Sequence, residues 1–128
     1  MFQQVTKGIK ISVLTKYEGA FLKKSILNHA FRYTVRIENQ SKDVVQLINR
    51  NWKIMESNRR PHYVEGAGVI GKKPVLKSGE THTYQSNCVL NSPIGAMSGF
   101  YTMVNFSSAQ EFEVEIPTFK LAATFALN

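Results

Sequence analysis

Apolar residues recur at every second position along most of this chain, a period that admits β-strands and excludes helices as the main element. The cleanest run sets Phe31, Tyr33, Val35 and Ile37 against Arg32, Thr34, Arg36 and Glu38. One face of such a strand belongs to a core and the other to solvent. Ile9, Ile11 and Val13 alternate in the same way with Lys10 and Ser12. Tyr17 to Asn28 is polar and interrupted by Gly19, and reads as a loop or a ragged edge strand. In Val44 to Met55 the apolar phase shifts from Val45 and Leu47 to Ile48, Trp52 and Ile54, which predicts a bulge or break between Leu47 and Trp52. Further strands are expected at Tyr63-Val64, Thr81 to Cys88 and Phe100 to Phe106, the last with Phe100, Thr102, Val104 and Phe106 on one face. Phe112, Val114 and Ile116 then alternate with Glu111, Glu113 and Glu115. Pro117 is expected to end that strand, and Phe119, Leu121, Ala123, Phe125 and Leu127 keep the phase of a last one. Trp52, Tyr33, Tyr84, Phe100 and Phe106 are the expected core aromatics.

Turn residues punctuate these runs about every ten positions: Asn39-Gln40-Ser41-Lys42-Asp43, Glu56 to Pro61, Lys77 to Glu80, and Asn91 to Gly95. About eight short strands with no helix between them predict an all-β fold, an antiparallel β-sandwich of immunoglobulin or fibronectin type III character. At 128 residues the chain is expected to be one domain, residues 1–128.

Charge is unevenly placed. Residues 1–60 carry 12 Lys+Arg against 4 Asp+Glu, a net of +8, and residues 61–128 carry 4 against 5, a net of −1. The basic residues alternate with apolar ones along strands instead of clustering, which argues against nucleic acid as the partner. The single cysteine, Cys88, cannot form an internal disulfide, and it fits a reducing compartment. With no secretory signal at Met1 to Gly8 and no membrane-spanning apolar run, the expected location is cytoplasmic, without membrane insertion.

Half of the glycines fall between Val64 and Tyr84, and Gly66-Ala67-Gly68-Val69-Ile70-Gly71 satisfies G-x-G-x-x-G. A dinucleotide site needs that loop to open a helix, and Pro74 follows too soon for one. Gly66-x4-Gly71-Lys72 approaches a P-loop, but Lys73 stands where a hydroxyl should hold magnesium. Two readings remain: a tight structural crossing that needs positive φ, or an anion cradle. In the cradle the N–H groups of Gly66, Gly68 and Gly71, with Lys72 and Lys73, would hold pyrophosphate or a nucleotide.

Other chemistry is sparse. His29, His62 and His82 are too far apart in sequence to form a metal-ligand pair. Glu111, Glu113 and Glu115 share one strand face and are weak candidates for magnesium or cobalt; the same alternation marks any solvated face. Nothing resembles a nucleophile elbow, and Cys88 reads as a buried strand thiol. No catalytic residue is assigned, no cofactor is called for, and the chain is read as a non-enzyme.

The order of motifs resembles the ApaG family from about Phe31 to Leu121. The residues carrying the likeness are Tyr33-Thr34-Val35-Arg36-Ile37-Glu38-Asn39-Gln40-Ser41, Arg50-x-Trp52, Gly66-x-Gly68-Val69-x-Gly71-x-x-Pro74-Val75-Leu76, Pro93-x-Gly95-x-Met97-x-Gly99-x-Tyr101-x-Met103-Val104 and Phe112-x-Val114-x-Ile116-Pro117. Asn51, Val89 and Thr118 depart from the pattern, Asn51 standing where a histidine is frequent. The resemblance implies a fibronectin type III-like sandwich and a small bacterial protein linked to cobalt resistance and magnesium efflux. It also implies an interaction module that recurs in larger eukaryotic proteins. The expected partner is therefore another protein, with homodimer formation left open and pyrophosphate or nucleotide binding at the glycine loop as the alternative.

Overall fold

The computed structural model describes residues 1–123, and among them nine strands and no helix. They are β1 (Phe2–Thr6), β2 (Ile9–Lys23), β3 (Ile26–Asn39), β4 (Val45–Glu56), β5 (His62–Ala67), β6 (Val75–Leu76), β7 (Thr81–Leu90), β8 (Ile94–Asn105) and β9 (Glu111–Ala122). One sheet has the order β1-β2-β3-β7; the other runs β5-β4-β8-β9, with β6 also paired to β4. All pairings are antiparallel. The two sheets stack as the expected sandwich, with one strand more than the turn count suggested.

Alternation explains the core. Ile9, Ile11 and Val13 of β2, and Phe31, Tyr33, Val35 and Ile37 of β3, all face inward and are buried. Trp52 lies at the centre, with ring centroids 5.5 Å from Tyr33, 5.9 Å from Phe119 and 6.4 Å from Tyr101, each in edge-on geometry. Such contacts add about 0.5–1.5 kcal/mol apiece to the burial term. Asn39 is the fully buried polar residue that pins one end of the sandwich. Its Nδ2 donates to the carbonyls of Asp43 (2.8 Å) and Leu76 (2.9 Å), and its Oδ1 accepts from the Ser41 N–H and hydroxyl.

The expected phase shift in β4 is present as a register shift between Leu47 and Asn49. The structure decides between the two readings of Tyr17–Asn28 and corrects three further points. The segment is the edge strand with an irregularity, not the loop: it is the far half of the β2–β3 hairpin, past the end of β1, closed by Lys24-Ser25, both at positive φ. The bulge between Tyr17 and Gly19 inverts the phase there, and both faces of the tip are solvated, so no alternation shows in sequence. The short, polar edge strand β1 was not expected at all. Pro117 does not end β9. A register shift between Met97 and Gly99 of β8 lies opposite it, and an unpaired position at the edge of a sheet accepts a residue without an N–H. Finally, Phe100 and Phe106 are not core: Tyr101 and Met103 are fully buried, while Phe106 is 52% exposed. Both phases of that strand carry large apolar side chains, so periodicity could not decide between them. Phe125 and Leu127 lie outside the described residues.

Along one flank the sandwich is closed, because β1 packs against β9 and the Phe2 and Phe119 rings meet at 6.2 Å. On the opposite flank β5 and β7 are the edge strands of their sheets.

Candidate functional site: the cleft between β5 and β7

The glycine motif is the rim of that open flank, and each of its glycines has a mechanical reason. Gly66 lies opposite Arg50 on β4, and a Cβ there would sit 2.7 Å from the Arg50 Nη2. Its absence lets the guanidinium lie over the β5 backbone. From that position Nη1 donates to the carbonyls of Ala67 (3.0 Å) and Gly68 (2.9 Å). Gly68 has φ +63°, and a Cβ would fall 2.2 Å from the Lys72 carbonyl oxygen. Ile70 and Gly71, at φ 47° and 71°, are the central pair of a two-residue turn closed by mutual Val69 and Lys72 hydrogen bonds of 2.8 and 3.0 Å. Positive φ at both central positions is the type I′ signature.

Backbone donors in this segment are largely committed. The Gly68 N–H donates to the Ile48 carbonyl (2.8 Å), and those of Val69 and Lys72 bond each other's carbonyls. Lys72 and Lys73 are exposed on the turn. Of the proposed anion-binding set, Gly71 lines the cleft, Gly68 accepts from Arg50 through its carbonyl, and Gly66 leaves room for the guanidinium. Glu111, Glu113 and Glu115 lie on the outer face of β9, opposite Val104, Thr102 and Phe100, and away from this cleft. Alternate residues of a strand are about 7 Å apart, so the three carboxylates do not converge on one ion. Among the described residues no group of three His, Cys, Asp or Glu is placed to hold a metal.

Behind the rim lies a cleft of about 470 Å³. Arg50, Trp52 and Val64 come from one sheet, and Tyr33, Tyr84, Ser86, Asn87 and Cys88 from the other. Three hydroxyls line its floor, those of Tyr33, Tyr84 and Ser86. The Tyr84 phenol oxygen is hydrogen-bonded to that of the buried Tyr101 behind it. Burial pushes all three phenols up, so they remain O–H groups at neutral pH; the Arg50 charge opposes that shift in each. Burial, and secondarily Glu56, pushes the Cys88 thiol up to about 11, so it is the inert strand thiol expected of it. His82 on β7 is held below its ordinary value by burial and then by Lys72. No carboxylate among the described residues forms an ion pair with Arg50; the ion pairs are Arg32–Glu18 and Arg36–Glu38, on the outer face of the other sheet.

Sequence reasoning placed interest in the glycines and missed Arg50. The signal was available, because Arg50 shares the inward phase of Trp52 and Ile54, where a charged residue is out of place.

Comparisons with known proteins fit this architecture. The family model described as the ApaG domain, DUF525, matches residues 22–105. A protein named Protein ApaG from Beijerinckia indica is 40% identical over 126 residues, covering 98% of this chain and 96% of its own. Another of that name from Methylocella silvestris is 41% identical over 125 residues, covering 98% and 95%. Among solved structures, the putative ApaA protein from Bordetella pertussis superposes with a TM-score of 0.83 at 39% identity, covering 91% of this chain and 94% of that one. A structural-genomics target known from its X-ray structure gives 0.86 at 32% identity, covering 91% and 88%. A match across most of the domain, repeated in sequence and in fold, shows that the chain belongs to the ApaG family.

Proposed function

We propose that the protein is a non-enzymatic interaction module that takes a segment of a partner protein along its open flank. The observation that carries this reading is the pair of unpartnered edges, β5 and β7, on either side of a cleft lined from both sheets. Exposed strand edges accept added strands, and clefts between them supply side-chain selectivity. The cleft sets two hydroxyl donors, on Tyr33 and Ser86, beside the Arg50 guanidinium, an arrangement that suits holding a bound segment. A link to cobalt and magnesium handling, implied by the family, would then run through the partner. The test is a photo-crosslinking residue at Ser86, which has the inward phase of β7 and lines the cleft, compared with one at Thr34 on the outer face of β3. A partner crosslinked from position 86 and not from position 34, in native lysate at low and high cobalt, is the expected result. Equal labelling from both positions, or none from position 86, refutes the reading.

A second reading is pyrophosphate or nucleotide binding at the same flank, favoured by an Arg50 without a carboxylate partner and by two exposed lysines on the rim. Calorimetry with pyrophosphate and ATP, with and without magnesium, tests it. Undiminished binding by a Lys72→Ala/Lys73→Ala double variant would remove the turn from the site.

A further inference from the structure

The chemistry of the cleft narrows what a partner segment must carry. Arg50 is half-buried on an inward strand phase, held against the Ala67 and Gly68 carbonyls through Nη1, with no ion-pair partner among the described residues. A guanidinium withdrawn from water without a counter-charge favours an anion, and its planar fork matches a two-oxygen acceptor. The Ser86 and Tyr33 hydroxyls line the same cleft, and each can donate a hydrogen bond to an oxygen there. A strand added to the free edge of β7 extends the β1-β2-β3-β7 sheet. Its alternate side chains then point inward, across the cleft towards β4 and Arg50.

We propose that the cleft recognises an extended acidic polypeptide segment, laid along β7 from Thr81 to Leu90, one of whose Asp or Glu side chains docks on Arg50. This rests on the reading of the open flank as the recognition surface. A single guanidinium, with one nitrogen already committed, balances the one charge of a carboxylate. Pyrophosphate carries more charge than this cleft answers. The N–H groups of Gly68, Val69 and Lys72 are bonded within the protein, and the atoms that the motif turns towards Arg50 are carbonyl oxygens. Lys72 and Lys73 project from the exposed turn instead of joining Arg50 among the cleft-lining residues.

The experiment selects from a random eight-residue peptide display library on the immobilised full chain, then measures the enriched peptides by calorimetry. The expected result is an Asp or Glu at one fixed position, at least tenfold weaker binding when that residue is made Asn or Gln, and a comparable loss with Arg50→Lys. The ligand-side change keeps the test valid if the Arg50 variant loosens the turn. Pyrophosphate should not displace the peptide at equimolar concentration. Enriched peptides with no fixed acid, or with affinity indifferent to the acid-to-amide change, overturn the carboxylate inference and leave the crosslinking test of the module standing. Displacement by pyrophosphate at equimolar concentration, or no enrichment at all, also overturns it.

Discussion

If the glycine motif is scaffolding, its glycines must differ in cost in a way that their geometry foretells. Replacing Gly71 by Ala meets nothing within 4 Å; the residue must only hold φ +71°. A left-handed conformation costs an L-residue about 1–2 kcal/mol. Replacing Gly68 by Ala imposes the same penalty at φ +63° and in addition drives a methyl group to 2.2 Å from the Lys72 carbonyl oxygen. That neighbour is backbone in a closed turn, so the turn must open. The Val69–Lys72 hydrogen bonds and the Gly68 bond to Ile48 weaken with it. Adding two or three such bonds at about 1 kcal/mol each to the conformational term gives roughly 3–5 kcal/mol. Urea unfolding followed by tryptophan fluorescence reads the difference through Trp52, the sole tryptophan. With a slope of about 1.5–2 kcal/mol/M, Gly68→Ala should lower the midpoint by about 2 M and Gly71→Ala by less than about 1 M, the slope itself unchanged. Equal midpoints for the two variants, or a Gly68→Ala midpoint at the wild-type value, would refute this account of the turn.

Other consequences follow from the same contacts. Gly66→Ala displaces the flexible end of Arg50, costing about 1–2 kcal/mol for its two carbonyl bonds, and its effect should be largely absent in an Arg50→Lys background, read by a double-mutant cycle. Asn39→Leu leaves the turn donors of Ser41 and the Leu76 carbonyl without partners; a loss of about 3 kcal/mol in thermal or urea unfolding is expected. Cys88 should be inert to thiol reagents at pH 8 in the folded protein. Its raised folded value means that the unfolded chain loses this proton first, so stability falls as pH rises from about 9 to about 11, by at most about 1.4 kcal/mol per unit; Cys88→Ala should flatten that decline. His82 has a depressed folded value, so its contribution is present above its ordinary range and lost as pH falls below it. Lys72→Ala should raise its titration midpoint by NMR.

Legibility varied with how many faces of a strand were solvated. In β3 one face is core and the other charged, and the sequence pattern matched the fold residue by residue. The arm beyond Tyr17 is wet on both faces and shifted by a bulge at Gly19, so its alternation carried no signal. In β8 the reverse ambiguity held: Phe100 and Tyr101 are both large and apolar, and the neighbouring strands, not the local pattern, chose Tyr101 for the core. The glycine motif was visible but misleading in kind. G-x-G-x-x-G suggests donors facing an anion, whereas here two of the glycines make room for a guanidinium and a carbonyl. The cleft itself depends on residues from six segments brought together by sheet topology, and no local pattern encodes that.

Recognition in the cleft behind the turn can be read from amide and side-chain NMR shifts on adding a display-selected acidic peptide. The largest changes are expected at Arg50, Tyr33 and Ser86, with little change at Glu111, Glu113 and Glu115. Changes confined to the outer face of β9, or to the Lys72-Lys73 turn with Arg50 unmoved, would place recognition elsewhere.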